Sequence, residues 1–255
     1  MTSTSTANKL PQITLAFWIT KIAATTLGET AGDLLAQTMN VGYGVSTLIL
    51  LSLFGVTLAS QLASTRHHVW LYWTVILSTS TAGTTLSDYM DRTLALGYAA
   101  GSAILVASLV LVLLAWRYAT GTLSVDHVTT RRAEVFYWVA ILVSNTLGTA
   151  LGDFLADDSG LGFGIVALLL AAVIGGVTLL HFFTRISKIA LFWSAFVLTR
   201  PLGATAGDFL TKPHARGGLD LGTVNASLVL GAILVAAVVF QMRAQQRELA
   251  AKRGA

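Results

Sequence analysis

Residues 17–33 read FWITKIAATTLGETAGD, and three later stretches align with them without a gap. They are YWTVILSTSTAGTTLSD at 72–88, YWVAILVSNTLGTALGD at 137–153 and FWSAFVLTRPLGATAGD at 192–208. Each opens on an aromatic residue and a Trp (Trp18, Trp73, Trp138, Trp193) and closes 15 residues later on an Asp (Asp33, Asp88, Asp153, Asp208). A Gly stands ten residues after each Trp: Gly28, Gly83, Gly148 and Gly203. A small residue precedes each Asp: Gly32, Ser87, Gly152 and Gly207. Nine residues beyond the Asp, three copies carry Gly-aromatic (Gly42-Tyr43, Gly97-Tyr98, Gly162-Phe163), whereas the fourth has an insertion and reads Gly222-Thr223. Self-similarity at a fixed period marks a duplicated unit. The Trp-to-Trp steps are 55, 65 and 55 residues, and the extra ten fall in a polar loop between the two halves.

Around these stretches the chain is strongly apolar. Of its 255 residues 55% are hydrophobic and 11% charged, against roughly 25% charged in a soluble domain. That excludes an ordinary soluble enzyme, a disordered chain and a nucleic-acid-binding module, and makes the lipid bilayer the main partner. The lack of Cys excludes disulfides and thiolate chemistry. Spanning the hydrocarbon takes about 20 helical residues. Residues 34–65, 93–116, 159–184 and 221–242 are free of charge, and the same length logic along the chain gives eight spans near 12–38, 43–64, 69–90, 95–117, 133–156, 162–183, 188–211 and 219–242. The first break is the turn signal Asn40-Val41-Gly42-Tyr43-Gly44. The first 16 residues lack signal-peptide features, so the N-terminus reads as retained.

An even number of spans places both termini on one side. Lys9, Arg66, Arg117, Arg131, Arg132, Arg185, Lys188, Arg243, Arg247, Lys252 and Arg253 fall there, and only Arg92, Lys212 and Arg216 fall opposite. Positive-inside bias makes the shared side cytoplasmic. The expected fold is all-α: eight transmembrane helices forming four parallel two-helix repeats about an axis along the membrane normal. The membrane domain covers 1–242, with repeats near 12–64, 69–117, 133–183 and 188–242, and a basic cytoplasmic tail occupies 243–255.

The fourfold Trp-to-Asp pattern resembles bacterial multi-pass membrane proteins built from four tandem two-helix repeats of unknown function, the domain-of-unknown-function 347 repeat. The resemblance covers about residues 15–242. It implies the topology and a bacterial inner membrane, and nothing about activity.

On a helix, positions 3, 7, 11 and 15 after the Trp form one stripe. The four stripes read Lys21, Thr25, Glu29, Asp33; Ile76, Ser80, Thr84, Asp88; Ile141, Asn145, Thr149, Asp153; and Phe196, Arg200, Ala204, Asp208. The odd-numbered helices should therefore line an interior and the even ones face lipid. The Gly28/Gly32 spacing and its counterparts suit close helix packing. The four Trp suit interfacial anchoring at the cytoplasmic helix ends. An Asp near a helix C-terminus opposes the macrodipole, so the Gly-Asp step either breaks the helix or sits at the outer interface.

The stripes hold five acids and two bases, Lys21 and Arg200, a balance of −3. A low-dielectric interior does not hold that uncompensated. The donors Glu29, Asp33, Asp88, Asp153, Asp208, Thr25, Ser80 and Asn145 are hard and suit Mg²⁺, Ca²⁺, Mn²⁺, Na⁺ or H⁺. Glu29 and Asp33 share one helix face, which makes them the expected metal pair on an off-axis site, with Lys21 and Arg200 compensating when the cation leaves. Glu29-Thr30-Ala31-Gly32-Asp33 also resembles the acidic Glu-x-Gly-Asp motif of manganese and calcium exporters. The five His (His67, His68, His127, His181 and His214) read as solvated or interfacial.

The expected function is hard-cation transport or exchange, without catalysis and with no cofactor beyond a bound cation. The rival is a membrane scaffold or sensor whose carboxylates hold the repeats together. An intramembrane aspartyl protease needs two carboxylates sharing a proton, and the chain has four equivalent Asp. A potassium filter needs four matching carbonyl loops. Only the first copy reads Val-Gly-Tyr-Gly, at Val41–Gly44.

Overall fold

A computed structural model describes residues 10–125 and 128–253. The expectations for Lys9, His127 and the retained N-terminus lie outside the described residues or rest on them. Eight long α-helices follow one another, with no strand among the described residues: α1 (Leu15–Asp33), α2 (Tyr43–Ala63), α3 (Val69–Asp88), α4 (Tyr98–Thr120), α5 (Arg131–Asp153), α6 (Phe163–Phe183), α7 (Lys188–Thr211) and α8 (Thr223–Arg253). Thr14, Thr130 and Ser187 cap α1, α5 and α7, their hydroxyls accepting from the amides of Phe17, Ala133 and Ala190. Such caps satisfy amides that have no partner within the helix.

The Gly-Asp steps do not break their helices, contrary to one of the two sequence readings. Asp33, Asp88 and Asp153 have ordinary right-handed helical angles, and the chain continues from each into one wide π-turn: Leu34–Thr38, Tyr89–Thr93 and Phe154–Asp158. Single π-turns are rare and concentrate at functional sites. Each turn then leads through a left-handed residue (Asn40, Ala95, Gly160) into Gly42, Gly97 or Gly162, whose φ of 72–80° strains any side chain. The fourth copy inserts a short 3₁₀ turn (His214–Arg216) but ends on the same pair, Asp220 and Gly222.

The odd-numbered helices close a ring: α1 packs on α3 and α7, and α5 packs on α3 and α7. Each even helix lies outside the ring against the next odd one: α2 on α3, α4 on α5, α6 on α7, and α8 back on α1. The repeated glycines make the ring tight. A Cβ on Gly28, Gly83, Gly148 or Gly203 would run into Ser80, Asn145, Arg200 or Thr25 of the next helix round. Gly32 and Gly207 approach Thr84 and Glu29 nearly as closely, and Gly152 packs more loosely against Thr205. Small residues let backbones approach closely where lipid supplies no hydrophobic drive for helix association.

Six helical segments are long and apolar enough to cross a membrane: α2, α4, α5 with its π-turn, α6, α7 and α8 as far as Arg247. The chain is thus a multi-pass membrane protein. α1 and α3 fall short of that apolarity because they carry dense buried hydroxyls (Thr20, Thr25, Thr26, Thr30; Ser78, Thr79, Ser80, Thr81, Thr84, Thr85, Ser87), of which Thr20 and Thr30 meet α8 and Ser78 meets α2.

The aromatic-Trp pairs correct the interfacial expectation. Trp73, Trp138 and Trp193 are buried, and Trp18 is half-buried. They interlock with Phe17, Tyr72, Tyr137, Phe192 and Trp116 at the end of the ring remote from the Asp residues. The Tyr72 and Tyr137 hydroxyls meet there at 2.7 Å. Trp73 donates to Gln241 of α8 at 3.1 Å and Trp193 to the Leu123 carbonyl at 3.0 Å. The Trp73 and Trp193 indoles thus donate to protein groups, and the buried Trp138 indole nitrogen has no hydrogen-bond partner among the described residues. His68, His181 and His214 are exposed and His67 half-buried.

Candidate cation site

Inside the ring the four stripes stack as tiers about 6 Å apart, one helical turn of four residues. The first tier is Lys21, Ile76, Ile141 and Phe196, all fully buried. Lys21 does not compensate a carboxylate, as the sequence reading had it. Its Nζ has no hydrogen-bond partner and lies 4.2 Å from the centre of the Phe196 ring.

The second and third tiers are joined by Arg200. From α7 its guanidinium donates to Glu29 of α1 at 2.9 Å, Thr84 of α3 at 2.6 Å and Thr149 of α5 at 2.8 Å. One side chain thus ties all four repeats. Thr84 and Thr149 in turn donate to Glu29 Oε2 at 3.2 and 3.0 Å. Hydroxyls both accept and donate, so these two pass the guanidinium's polarisation to the carboxylate. The expected ligands Thr25, Ser80 and Asn145 lie one tier away. Thr25 spends its hydroxyl on backbone carbonyls, and Ser80 Oγ and the Asn145 amide have no partner among the described residues.

The fourth tier holds Asp33, Asp88, Asp153 and Asp208, each 2% exposed. Two cations from just beyond α3 and α7 share them. Arg92 contacts Asp88 at 2.9 Å and Asp153 at 3.0 Å, and Lys212 contacts Asp33 at 2.9 Å and Asp208 at 3.1 Å. Burial works to lower the Lys212 pKa, but Asp208 and Asp33 outweigh it and hold the ammonium well above its ordinary value. Arg92 is raised in the same way by Asp88 and Asp153 against the opposing effect of burial. Arg92 also lies between the rings of Tyr43 and Tyr98, 5.8 and 5.7 Å from their centres, and donates to the Tyr43 hydroxyl at 3.2 Å.

These contacts correct the charge balance. Arg92 and Lys212, read as edge markers, join the interior, so the five carboxylates are contacted by three cations, Arg92, Lys212 and Arg200, while Lys21 stands apart beside Phe196. The signal was present in the i, i+4 spacing of Asp88–Arg92 and Asp208–Lys212. Oxygens of Glu29, Asp33 and Asp208 converge within 4.8 Å of one another. Asp208 of α7 thus joins the expected Glu29–Asp33 pair of α1. Asp88 and Asp153 belong to the Arg92 pair.

Four tandem matches to the model described as Repeat of Unknown Function (DUF347) cover residues 16–67, 71–122, 136–187 and 191–247. The chain belongs to the DUF347 repeat family. Each DUF347 repeat contributes one inner helix, its Asp and the outer helix that follows. No curated protein and no solved structure is significantly similar to the chain.

Proposed function

We propose that the protein is a carrier, not an enzyme, that exchanges a hard cation across a bacterial inner membrane. In this reading all eight helices span. The four repeats are parallel about an axis along the membrane normal, both termini are cytoplasmic, and residues 243–255 form a basic extension of α8. Closure of α1, α3, α5 and α7 into one ring supports that symmetry. α1 and α3 can cross despite their hydroxyls because those groups are buried against neighbouring helices.

One observation carries the functional reading: Glu29, Asp33 and Asp208 converge, and a tethered ammonium, Lys212, contacts two of them. A charge in a transmembrane helix costs about 2.5–3.5 kcal/mol on insertion scales and marks function by default. Replacing a buried ion pair by apolar packing is often neutral or stabilising by about 1–4 kcal/mol. Holding repeats together therefore does not call for this many carboxylates. The Asp is the one stripe position identical in all four copies.

Lys212 lies one residue beyond α7 and just before Pro213. It can swing away without unwinding the helix. A cation of the Mg²⁺, Ca²⁺, Mn²⁺ or Na⁺ class then replaces it among three carboxylates, which supply the hard oxygens such ions take. When the cation leaves, Lys212 returns. Arg92 is clamped by two tyrosines and keeps Asp88 and Asp153 paired throughout. A hydroxyl-rich tier beneath, Thr84 and Thr149, positions Glu29.

Calorimetric titration of each cation into protein in nanodiscs tests this. Wild type should bind one class saturably, Asp33→Asn and Glu29→Gln should not bind it, and Lys212→Gln should bind more tightly because the competitor is gone. A scaffold reading is favoured by the reach of Arg200 into all four repeats. It predicts no saturable heat in wild type and no gain in Lys212→Gln.

A further inference from the structure

Outside the ring, a recess lies between the end of α4 and the start of α5. This groove of about 500 Å³ has Leu111, Val112 and Ala115 on one wall, Val135, Phe136 and Val139 on the other, and Arg132 at its end. Leu111, Val135 and Val139 are exposed apolar side chains, so the bilayer is their surroundings. Arg132 is exposed and makes no ion pair among the described residues, and Arg131, also exposed, precedes it in the chain. The nearest acid in sequence, Glu134, is buried and faces Gln61. The groove's mouth is therefore cationic and its body apolar.

The other three junctions are internal controls, because each pairs an even helix with the next odd one. Ala115 stands 18 residues after Gly97, and its counterparts are Ser60, Leu180 and Phe240. Arg132 stands six residues before its Trp, and its counterparts are Gln12, His67 and Ser187. Val135 corresponds to Leu15, Trp70 and Ala190. Only the α4–α5 junction combines a small floor, apolar walls and a permanent cation. The inserted loop between the two halves lies at the same end and carries this arginine pair into α5.

We propose that this groove binds one anionic phospholipid, with its phosphate on Arg132 and an acyl chain along the seam of α4 and α5. From Arg132 to Val139 the seam runs about 10 Å at 1.5 Å per residue, which covers the upper part of one chain. A basic residue at the membrane surface attracts anionic lipid by about 1 kcal/mol, or about fivefold in occupancy. Arg132 supplies that preference and Ala115 supplies the room. A second copy of the chain is the alternative occupant, but its outer helices would have to bury Arg132 without an acidic partner.

Native mass spectrometry of the intact protein, equilibrated with equimolar phosphatidylglycerol and phosphatidylcholine, tests the assignment. Wild type should retain one phosphatidylglycerol about fivefold over phosphatidylcholine. Arg132→Gln, on the surface, should keep a lipid but lose the headgroup preference. Ala115→Phe places in α4 the side chain that the fourth repeat carries at Phe240, and should lose the adduct. An unchanged headgroup ratio in Arg132→Gln, an adduct retained in Ala115→Phe, or a dimer that Ala115→Phe abolishes would each overturn it.

Discussion

Arg200 and Glu29 are the residues on which the interior depends. Both are buried, and the guanidinium has its acceptors on the other three inner helices. Removing one partner of a buried pair leaves the other charge uncompensated, at a cost of about 3–5 kcal/mol. Arg200→Met should lose stability of that order in denaturant titrations in detergent, and adding Glu29→Gln should restore much of it. Lys21 has no such partner, so Lys21→Met should leave the protein at least as stable as the parent in the same titration. The sequence marked all three as inward-facing polar residues because they lie on the stripe. It did not show that Arg200 reaches Glu29 while Lys21 reaches the Phe196 ring and no carboxylate. Which partner a long side chain finds depends on the order of helices around the ring, and a periodic pattern on one helix is silent about that.

Among elements, the inner helices are held at glycine contacts, and the two kinds of glycine should respond oppositely. A Cβ on Gly148 would overlap Arg200 and lie 2.9 Å from the Pro201 nitrogen, whereas Gly175, on α6, has nothing within 4 Å. Gly148→Ala should cost about 1–3 kcal/mol by overpacking. Gly175→Ala should instead stabilise by about 0.5–1 kcal/mol through helix propensity. Thermal denaturation of the pair reads the difference directly. The helices themselves, their order and the Gly42-type turns were legible, because apolar run length and turn chemistry are local. The π-turns after Asp33, Asp88 and Asp153 were not, since one widened turn leaves the polar stripe above it unchanged. Burial of Trp73, Trp138 and Trp193 was hidden for a different reason. A Trp at a helix end looks the same whether it meets headgroups or, as here, Gln241 and the Leu123 carbonyl.

For the whole molecule, duplication sets the ring and divergence sets the function. Four equal repeats would give four equal Asp environments. Arg92 and Lys212 occupy the position four after the Asp in the second and fourth copies, while Gln37 and Asp157 occupy it in the first and third. The Asp tier is therefore split into two pairs, one clamped by Tyr43 and Tyr98 and one held by a single flexible lysine beside Glu29. In the proposed function, that asymmetry makes the α1–α7 side the place where a cation enters. The central claim is that Lys212 and the transported ion compete for Asp33 and Asp208. Uptake of Mn²⁺, Ca²⁺, Mg²⁺ and Na⁺ into proteoliposomes against a pH gradient tests it most directly. Wild type should accumulate one of these ions, Asp33→Asn should fall to the level of protein-free liposomes, and Lys212→Gln should reach half-maximal uptake at lower cation concentration. Uptake by Asp33→Asn equal to wild type, or no uptake of any of these ions by wild type, would contradict it.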